Sequence, residues 1–421
     1  MDLPFLTQDL PGIGGVIKRR AEDFVVQEIP LYEAGGTGEH VYCEIQKINQ
    51  STFDLVRKLA AALHVPERAI GYAGMKDARA VTRQFFSIQG VTEDAVFALQ
   101  IPNAQVLFVG RHSNKLRLGH LAGNRFQIKI RDVPPTDVLK ARAVLDVIER
   151  RGMPNYFGEQ RFGRRGNNHV LGAALIRGDN IAVLRALLGS PDPDVDDKAT
   201  REARRLFDEK QNEESMKHWP RRHGLERRVL ARLMKTHKPN AAVRVIDEKL
   251  KRLWVSALQS KLFNDVVAKR LDTIDTVMLG DVAYKHDNGA CFRVTDSAAE
   301  QPRCANFEIS PSGPLVGYRV TLPEGEPLNI EQEVFAAAGL KPDDFKHAGR
   351  QSAKGARRPL RVKPADVELA GGADEHGPYV ALAFTLPAGS FATILLSEVM
   401  KSKSASTEPS EMEVAEELPE A

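Results

Sequence analysis

Met153-Pro154-Asn155-Tyr156-Phe157-Gly158 marks the point at which this 421-residue chain changes texture. Before it the pattern is mixed. Phe24-Val25-Val26-Gln27-Glu28-Ile29 and residues 41–48 read as strands, joined through a glycine-rich turn at Gly35-Gly36-Thr37-Gly38. Thr52 is placed to cap a helix reaching Leu63, with Phe53, Val56, Leu59 and Leu63 on one face. Residues 85–88 and 105–109 read as further strands. Phe126, Ile128 and Ile130 alternate with Gln127, Lys129 and Arg131, the pattern of a half-buried strand, and a helix is expected over 136–151.

After that stretch the chain reads as helical and strongly charged from 155 to 271. Residues 201–238 alone carry twelve Lys/Arg against six Asp/Glu. Weak strands return over 277–285, and 358–400 reads as strand, strand, helix. The order implies a helical insertion inside a β-containing domain whose first and last parts must meet. The expected division is 1–154 and 359–400 for that domain and 155–358 for the insertion. Residues 401–421 are expected to form a disordered acidic tail, with six Glu against two Lys.

Composition narrows the class of protein more than its function. Apolar residues make up 42% and charged residues 27%, ordinary for a globular chain, which excludes collagenous and disulfide-scaffold classes. Cys43, Cys291 and Cys304 are too few and too scattered for a disulfide framework, so a reducing, cytoplasmic setting is expected. The formal charge of +3 gives no overall nucleic-acid signature, but it conceals segregation. Without the tail, residues 1–400 hold 57 cations against 50 carboxylates. Residues 377–397 are uncharged and long enough to span a bilayer. Pro387-Ala388-Gly389 would break such a span, so a strand over 379–386 and a helix capped by Ser390 are expected instead, with no membrane partner.

Most catalytic patterns are missing. The cysteines and histidines show no metal-ligand spacing. Asp192-x-Asp194-x-Asp196 lacks the glycine and glutamate of a calcium loop and reads as an acidic surface loop. Neither Gly12 to Ile17 nor Gly158 to Arg165 completes a nucleotide-cradling loop. No metal and no cofactor are therefore expected. Gly71-Tyr72-Ala73-Gly74-Met75-Lys76-Asp77-Ala78-Arg79-Ala80-Val81-Thr82-Arg83-Gln84 is denser in chemistry. Its lone carboxylate, Asp77, is flanked by Lys76, Arg79 and Arg83, and neighbouring cations favour a charged carboxylate able to act as nucleophile or base. A surface turn with local ion pairs would carry the same residues.

Three further segments have the composition of nucleic-acid contacts. Residues 111–126 combine four Arg/Lys and two His with Asn124 and Phe126. Residues 155–168 interleave aromatics with Arg and Gly, and 346–363 hold seven Lys/Arg and no acid. Basic side chains beside aromatics suit phosphates with a base to stack, although a solvated charged face is the plain alternative.

Taken in order, the segments resemble the TruD family of tRNA pseudouridine synthases. The matching pieces begin with Lys18, Phe24 and Glu28, then Gly38-Glu39-His40, Tyr72-Ala73-Gly74-Met75-Lys76-Asp77 and Ala80-Val81-Thr82. They continue with Lys115-Leu116-Arg117, Gly123-Asn124-Arg125-Phe126, Pro154-Asn155-Tyr156-Phe157-Gly158 and Gln160-Arg161-Phe162-Gly163. Ser256-Ala257-Leu258-Gln259-Ser260, Phe263-Asn264 and Leu386-Pro387-Ala388-Gly389-Ser390-Phe391-Ala392-Thr393 complete the set.

The resemblance implies an α+β fold: a pseudouridine-synthase catalytic domain with a mixed, mainly antiparallel sheet and flanking helices, interrupted by a largely helical TRUD insertion domain. It implies a cytoplasmic enzyme acting on tRNA, at uridine 13 of the D-arm, with Asp77 as the catalytic carboxylate. Phe24, Asn124, Phe126 and Phe391 would line the base pocket, with Lys18 a nearby cation. One chain would hold the whole site, so a monomer is expected. A catalytically silent RNA-binding protein or chaperone on the same fold is the alternative, and an intact Asp77 favours the enzyme. A glycosidase would need a second carboxylate beside Asp77, and none stands out.

Overall fold

The computed structural model describes residues 3–346 and 348–402; the expected acidic tail lies almost wholly outside them. The chain divides into two compact units, Tyr156–Leu360 and, from both sides of it, Pro4–Asn155 with residues from Arg361 onward.

In the second of these, chain order runs β1 (Phe24–Pro30), β2 (His40–Ile48), α1 (Thr52–Leu63), β3 (Ile70–Tyr72), β4 (Val81–Gln89), α2 (Glu93–Phe97), β5 (Ala104–His112), β6 (Leu121–Arg131), α3 (Val138–Arg151) and β7 (Met153–Pro154). The helical unit follows with α4 (Asn168–Ile176), α5 (Asn180–Leu188), α6 (Lys198–Asp208), α7 (Asn212–His218), α8 (Gly224–Thr236), α9 (Pro239–Val243) and α10 (Glu248–Lys269). It closes with β8 (Val282–Lys285), β9 (Cys291–Arg293), α11 (Ser297–Ala305), β10 (Ile309–Leu315), α12 (Gly325–Ala337) and β11 (Ala356–Pro359). The chain then returns through β12 (Arg361–Val362), β13 (Ala365–Asp374), β14 (Gly377–Pro387) and α13 (Ala392–Met400).

An eight-stranded sheet in the order β13-β14-β6-β1-β4-β2-β5, with β3 beside β4, carries the unit that begins at Pro4. Only β1 and β4 pair in parallel; the rest is antiparallel. The expected α+β sheet is therefore present. Its two chain segments meet twice, where β14 pairs with β6 and where β12 pairs with β7. The buried face follows a period of two, and Val41, Cys43 and Ile45 of β2 pack with Phe86 and Ile88 of β4 and with Leu55, Val56 and Leu59 of α1. Burial pushes the Cys43 thiol up to about 12.

Local details depart from the sequence reading. Ser51, not Thr52, caps α1, accepting the Asp54 N–H at 3.1 Å. Thr52 is thereby released for another task. Ser390 does not cap α13, whose preceding position is Phe391. The strand expected over 277–285 is confined to β8. No described helix is long and apolar enough to cross a membrane.

The basic run over 346–363 is corrected in part: Lys346, Lys354 and Lys363 are exposed, but three arginines are not. Arg358 is buried over the rings of Phe157 at 4.3 Å and Phe263 at 5.5 Å, which lowers its pKa to about 9 through desolvation. Arg357 pairs with buried Glu331 at 2.8 Å, and Arg361 donates to the Arg151 carbonyl. Tyr156, Phe157 and Phe162 are buried too, so their aromatic surface serves the interior. Asp196 is also interior, held 3.2 Å from Arg204. Long cationic side chains have been spent on closing the fold.

Arg131 ties the sheet together from the end of β6. Its guanidinium bonds Asp23 at 2.6 and 3.0 Å and Asp374 at 3.0 Å, and all but about a fiftieth of its side chain is enclosed. Removing one partner of such a pair strands a buried charge, so Asp23→Ala is expected to lose roughly 3 kcal/mol in urea unfolding at neutral pH. Arg131, with Lys129, holds the Asp374 carboxyl well below the usual carboxylate range. Its stabilisation is present above the ordinary carboxylate pKa and is lost as pH falls. The melting difference between wild type and Asp374→Asn is accordingly expected to shrink from about pH 5 toward about pH 2.

Candidate active site

The segment before β1 reaches the site by a fixed route. Val16 pairs with Arg131, N–H to carbonyl in both directions at 3.0 and 2.8 Å. Two residues later Lys18 adopts φ +54°, a left-handed conformation uncommon for a side chain of this size. Its ammonium lies 4.3 Å from the centre of the Phe24 ring and forms an ion pair with the Asp77 carboxylate. Lys18 is 7% exposed and Asp77 23%, so the pair is enclosed on the lysine side and open on the acid side.

The Asp77 loop, between β3 and β4, is held from several directions. Thr52 Oγ1 accepts the Lys76 N–H at 3.1 Å and donates to Gln84 Oε1 at 3.1 Å. Gln84 in turn donates from Nε2 to the Gly74 carbonyl. Lys47, wholly buried, donates from Nζ to the carbonyls of Gln50 at 2.6 Å and Asp77 at 3.1 Å. The Arg79 N–H reaches the Asp77 carboxylate at 3.3 Å. Lys76 turns inward and pairs with Glu28 of β1 at 2.8 Å, both almost fully enclosed. Of the cations flanking Asp77 in sequence, Lys76 thus serves the scaffold, whereas Lys18, 59 positions upstream, supplies the ion pair.

Sheet register sets the rest. Val26 stands opposite Phe126, Glu28 opposite Asn124, and Leu386 opposite Asn124 on the other side. Directly opposed residues share a face, so Phe24, Glu28, Asn124 and Phe126 lie on one face. Phe126 packs edge-on against Phe24 with centroids 6.5 Å apart and stacks on Phe384 at 5.3 Å. The Asn124 side-chain oxygen is buried without a hydrogen-bond partner, an uncommon state for a polar atom. Phe391 precedes α13, on a connection whose Ala388 N–H bonds the Ala122 carbonyl at 3.0 Å.

The sequence-expected residues Lys18, Phe24 and Asp77 are therefore in mutual contact through Lys18, and Asn124 and Phe126 share the sheet face with Phe24. Phe391 is placed at the adjoining loop, immediately before α13. The roles of Lys47, Thr52 and Gln84 in holding the loop were not expected from the sequence. A signal for Lys47 was present, because Val41-x-Cys43-x-Ile45-x-Lys47 puts a lysine on the apolar register of β2. No group of His, Cys, Asp and Glu among the described residues could hold a metal.

The family described as tRNA pseudouridine synthase D (TruD) matches residues 1–399. Among similar proteins, a tRNA pseudouridine synthase D of Geobacter metallireducens is 49% identical over 400 residues, covering 94% of this chain and 97% of its own. One from Thermus thermophilus is 39% identical over 401 residues, covering 94% and 92%. A crystal structure of a TruD protein from Methanosarcina mazei superposes with a TM-score of 0.83 at 28% identity, covering 96% of this chain and 99% of that one.

Thr52→Val keeps the shape but leaves the Lys76 N–H and Gln84 without their shared partner. It is expected to lower unfolding free energy by roughly 1–3 kcal/mol and to speed amide exchange at Lys76. Unchanged exchange at Lys76 would mean that the loop is held without Thr52.

Proposed function

The chain belongs to the TruD family of tRNA pseudouridine synthases, and from that premise we propose that it isomerises uridine 13 in the D-arm of tRNA with Asp77 as the catalytic carboxylate. The observation that carries this reading is the Lys18–Asp77 pair, a partly exposed carboxylate on a loop whose backbone is fixed on both sides. Such fixing supplies the pre-set geometry that a positioned nucleophile or base needs.

The reaction breaks the bond between ribose C1′ and uracil N1, turns the base, and forms a bond from C1′ to C5. The hydrogen on C5 leaves as a proton and N1 gains one, so the change is a net isomerisation with no co-reactant. Asp77 serves by attacking C1′ or by taking a ribose proton; both routes use the same oxygen atoms. The detached uracil must be retained while it turns. Phe126 and Phe24 supply the apolar walls, and the buried Asn124 oxygen is matched to an N–H of the uracil edge. Lys18 balances the negative charge that the Asp77 carboxylate carries before it reacts. Phe391, on the loop beside Ala122, would close the pocket.

The uridine has to leave its stack, at a cost of a few kcal/mol (about), before any of this occurs. Phosphate contacts offset that cost. Many arginines of the basic runs are internal, which narrows where such contacts lie. On α8 of the helical unit, Arg228, Arg232 and Lys235 are exposed at helical spacing and make no ion pair among the described residues. Like charges so spaced disfavour a helix and fit a polyanionic partner. The insertion, in this reading, is 155–358 and serves RNA rather than chemistry.

Wild-type protein and Asp77→Asn should be incubated with unmodified tRNA and the product mapped nucleotide by nucleotide. Wild type is expected to form pseudouridine at position 13 and the variant none, with tRNA still bound by both. Pseudouridine made by the variant would remove Asp77 from the chemistry, and a different modified position would correct the target. Binding is also expected to weaken steeply as salt rises; a flat response would exclude the phosphate-contact reading.

A further inference from the structure

Lys47 is the most heavily enclosed cation near the site. It sits on β2 opposite Thr82 of β4 and Ala104 of β5, on the register otherwise occupied by Val41, Cys43 and Ile45. A buried ammonium is costly to desolvate unless its protons find acceptors. Here the acceptors are main-chain carbonyls on two separate turns. One is Gln50, in the turn leaving β2, at 2.6 Å; the other is Asp77 itself, at 3.1 Å, with the Lys76 carbonyl at 3.5 Å. The same two turns are joined by the Asn49 N–H, which donates to the Ala80 carbonyl at 3.2 Å.

We propose that Lys47 is a positioning residue for the reaction, a buried clamp that fixes the main chain of Asp77 so that its carboxylate meets the ribose in one orientation. The inference rests on the reading of Asp77 as the catalyst. Its content is that position, not charge at the carboxylate, is what Lys47 supplies. Lys18 contacts the carboxylate itself, whereas Lys47 grips the carbonyl of the same residue from within the sheet. The two lysines constrain the two ends of Asp77. Thr52 and Gln84 complete the arrangement at Lys76 and Gly74, so the main chain leading into Asp77 is held at Gly74, Lys76 and Asp77.

A clamp of this kind has a distinct kinetic signature. A misplacement of about 1 Å in a reacting group can cost about 100-fold in rate, while contacts with tRNA outside the pocket are untouched. Lys47→Met retains the aliphatic stem and loses the ammonium. Lys47→Gln retains a neutral donor on a shorter stem and gives a second variant at the same position. Val144→Ala, in the buried face of α3 and away from the loop, reports what loss of stability alone does to the rate.

Single-turnover pseudouridine formation on saturating tRNA, well below the melting temperature of each variant, separates the possibilities. Lys47→Met is expected to lose about 100-fold in rate with tRNA dissociation constant within about twofold of wild type. Lys47→Gln is expected to fall between it and wild type, and Val144→Ala to keep the wild-type rate. The proposal is overturned if both Lys47 variants react at the wild-type rate, if they lose affinity and rate together, or if Val144→Ala slows as much for the same fall in melting temperature. Wild-type activity abolished by Asp77→Asn in the same assay shows that the reading of Asp77 stands even where that of Lys47 fails.

Discussion

An ammonium against a carboxylate, Lys18 against Asp77, is the contact on which the rest of the site depends. It joins a segment ahead of the first strand to a loop ahead of the fourth, and neither could supply it alone. Lys18 is delivered by the Val16–Arg131 bridge, and Arg131 is itself fixed by Asp23 and Asp374. Asp77 is delivered by Lys47, Thr52 and Gln84 acting on the loop backbone. The Asp77 carboxylate is thus held on the sheet scaffold by groups that grip its main chain and that of its neighbours, a division of labour expected where geometry must be held closely.

Polar residues on the apolar register are the common thread. Glu28 follows Phe24 and Val26 inward on β1; Lys47 follows Cys43 and Ile45 on β2; Thr82 and Gln84 precede Phe86 and Ile88 on β4. Burying such groups is unfavourable unless they are satisfied. Glu28 is met by Lys76, Lys47 by carbonyls, and Gln84 by Gly74 and Thr52. The Thr82 hydroxyl and the Asn124 oxygen are left over, the latter on the sheet face that also carries Phe24 and Phe126. The sheet sacrifices apolar packing along a line that leads to Asp77.

Much of this architecture was legible beforehand. Alternation along Phe126–Ile130 and the change of texture at Met153-Pro154 are local signals, and the strands and helices they announced are present. The motif order pointed to the family. What stayed hidden was non-local. Lys76, Arg79 and Arg83 flank Asp77 in sequence, yet the partner of Asp77 is Lys18, and Lys76 is turned toward Glu28. Charge density misled in the same way: Arg357, Arg358 and Arg361 read as a nucleic-acid surface and are interior. A run of cations in sequence does not say which of them find acceptors within the fold. The inward lysine of β2 was readable from its period of two, but its acceptor on a loop 30 residues away was not.

The most direct test of the account is the chemistry of Lys18→Met, which removes the cation from Asp77 while keeping a stem to pack on Phe24. Single-turnover conversion of saturating, unmodified tRNA is predicted to slow by about 100-fold, with affinity for tRNA within about twofold of wild type. Conversion at the wild-type rate would contradict it, because the Lys18–Asp77 contact would then be a feature of the folded protein with no part in the reaction.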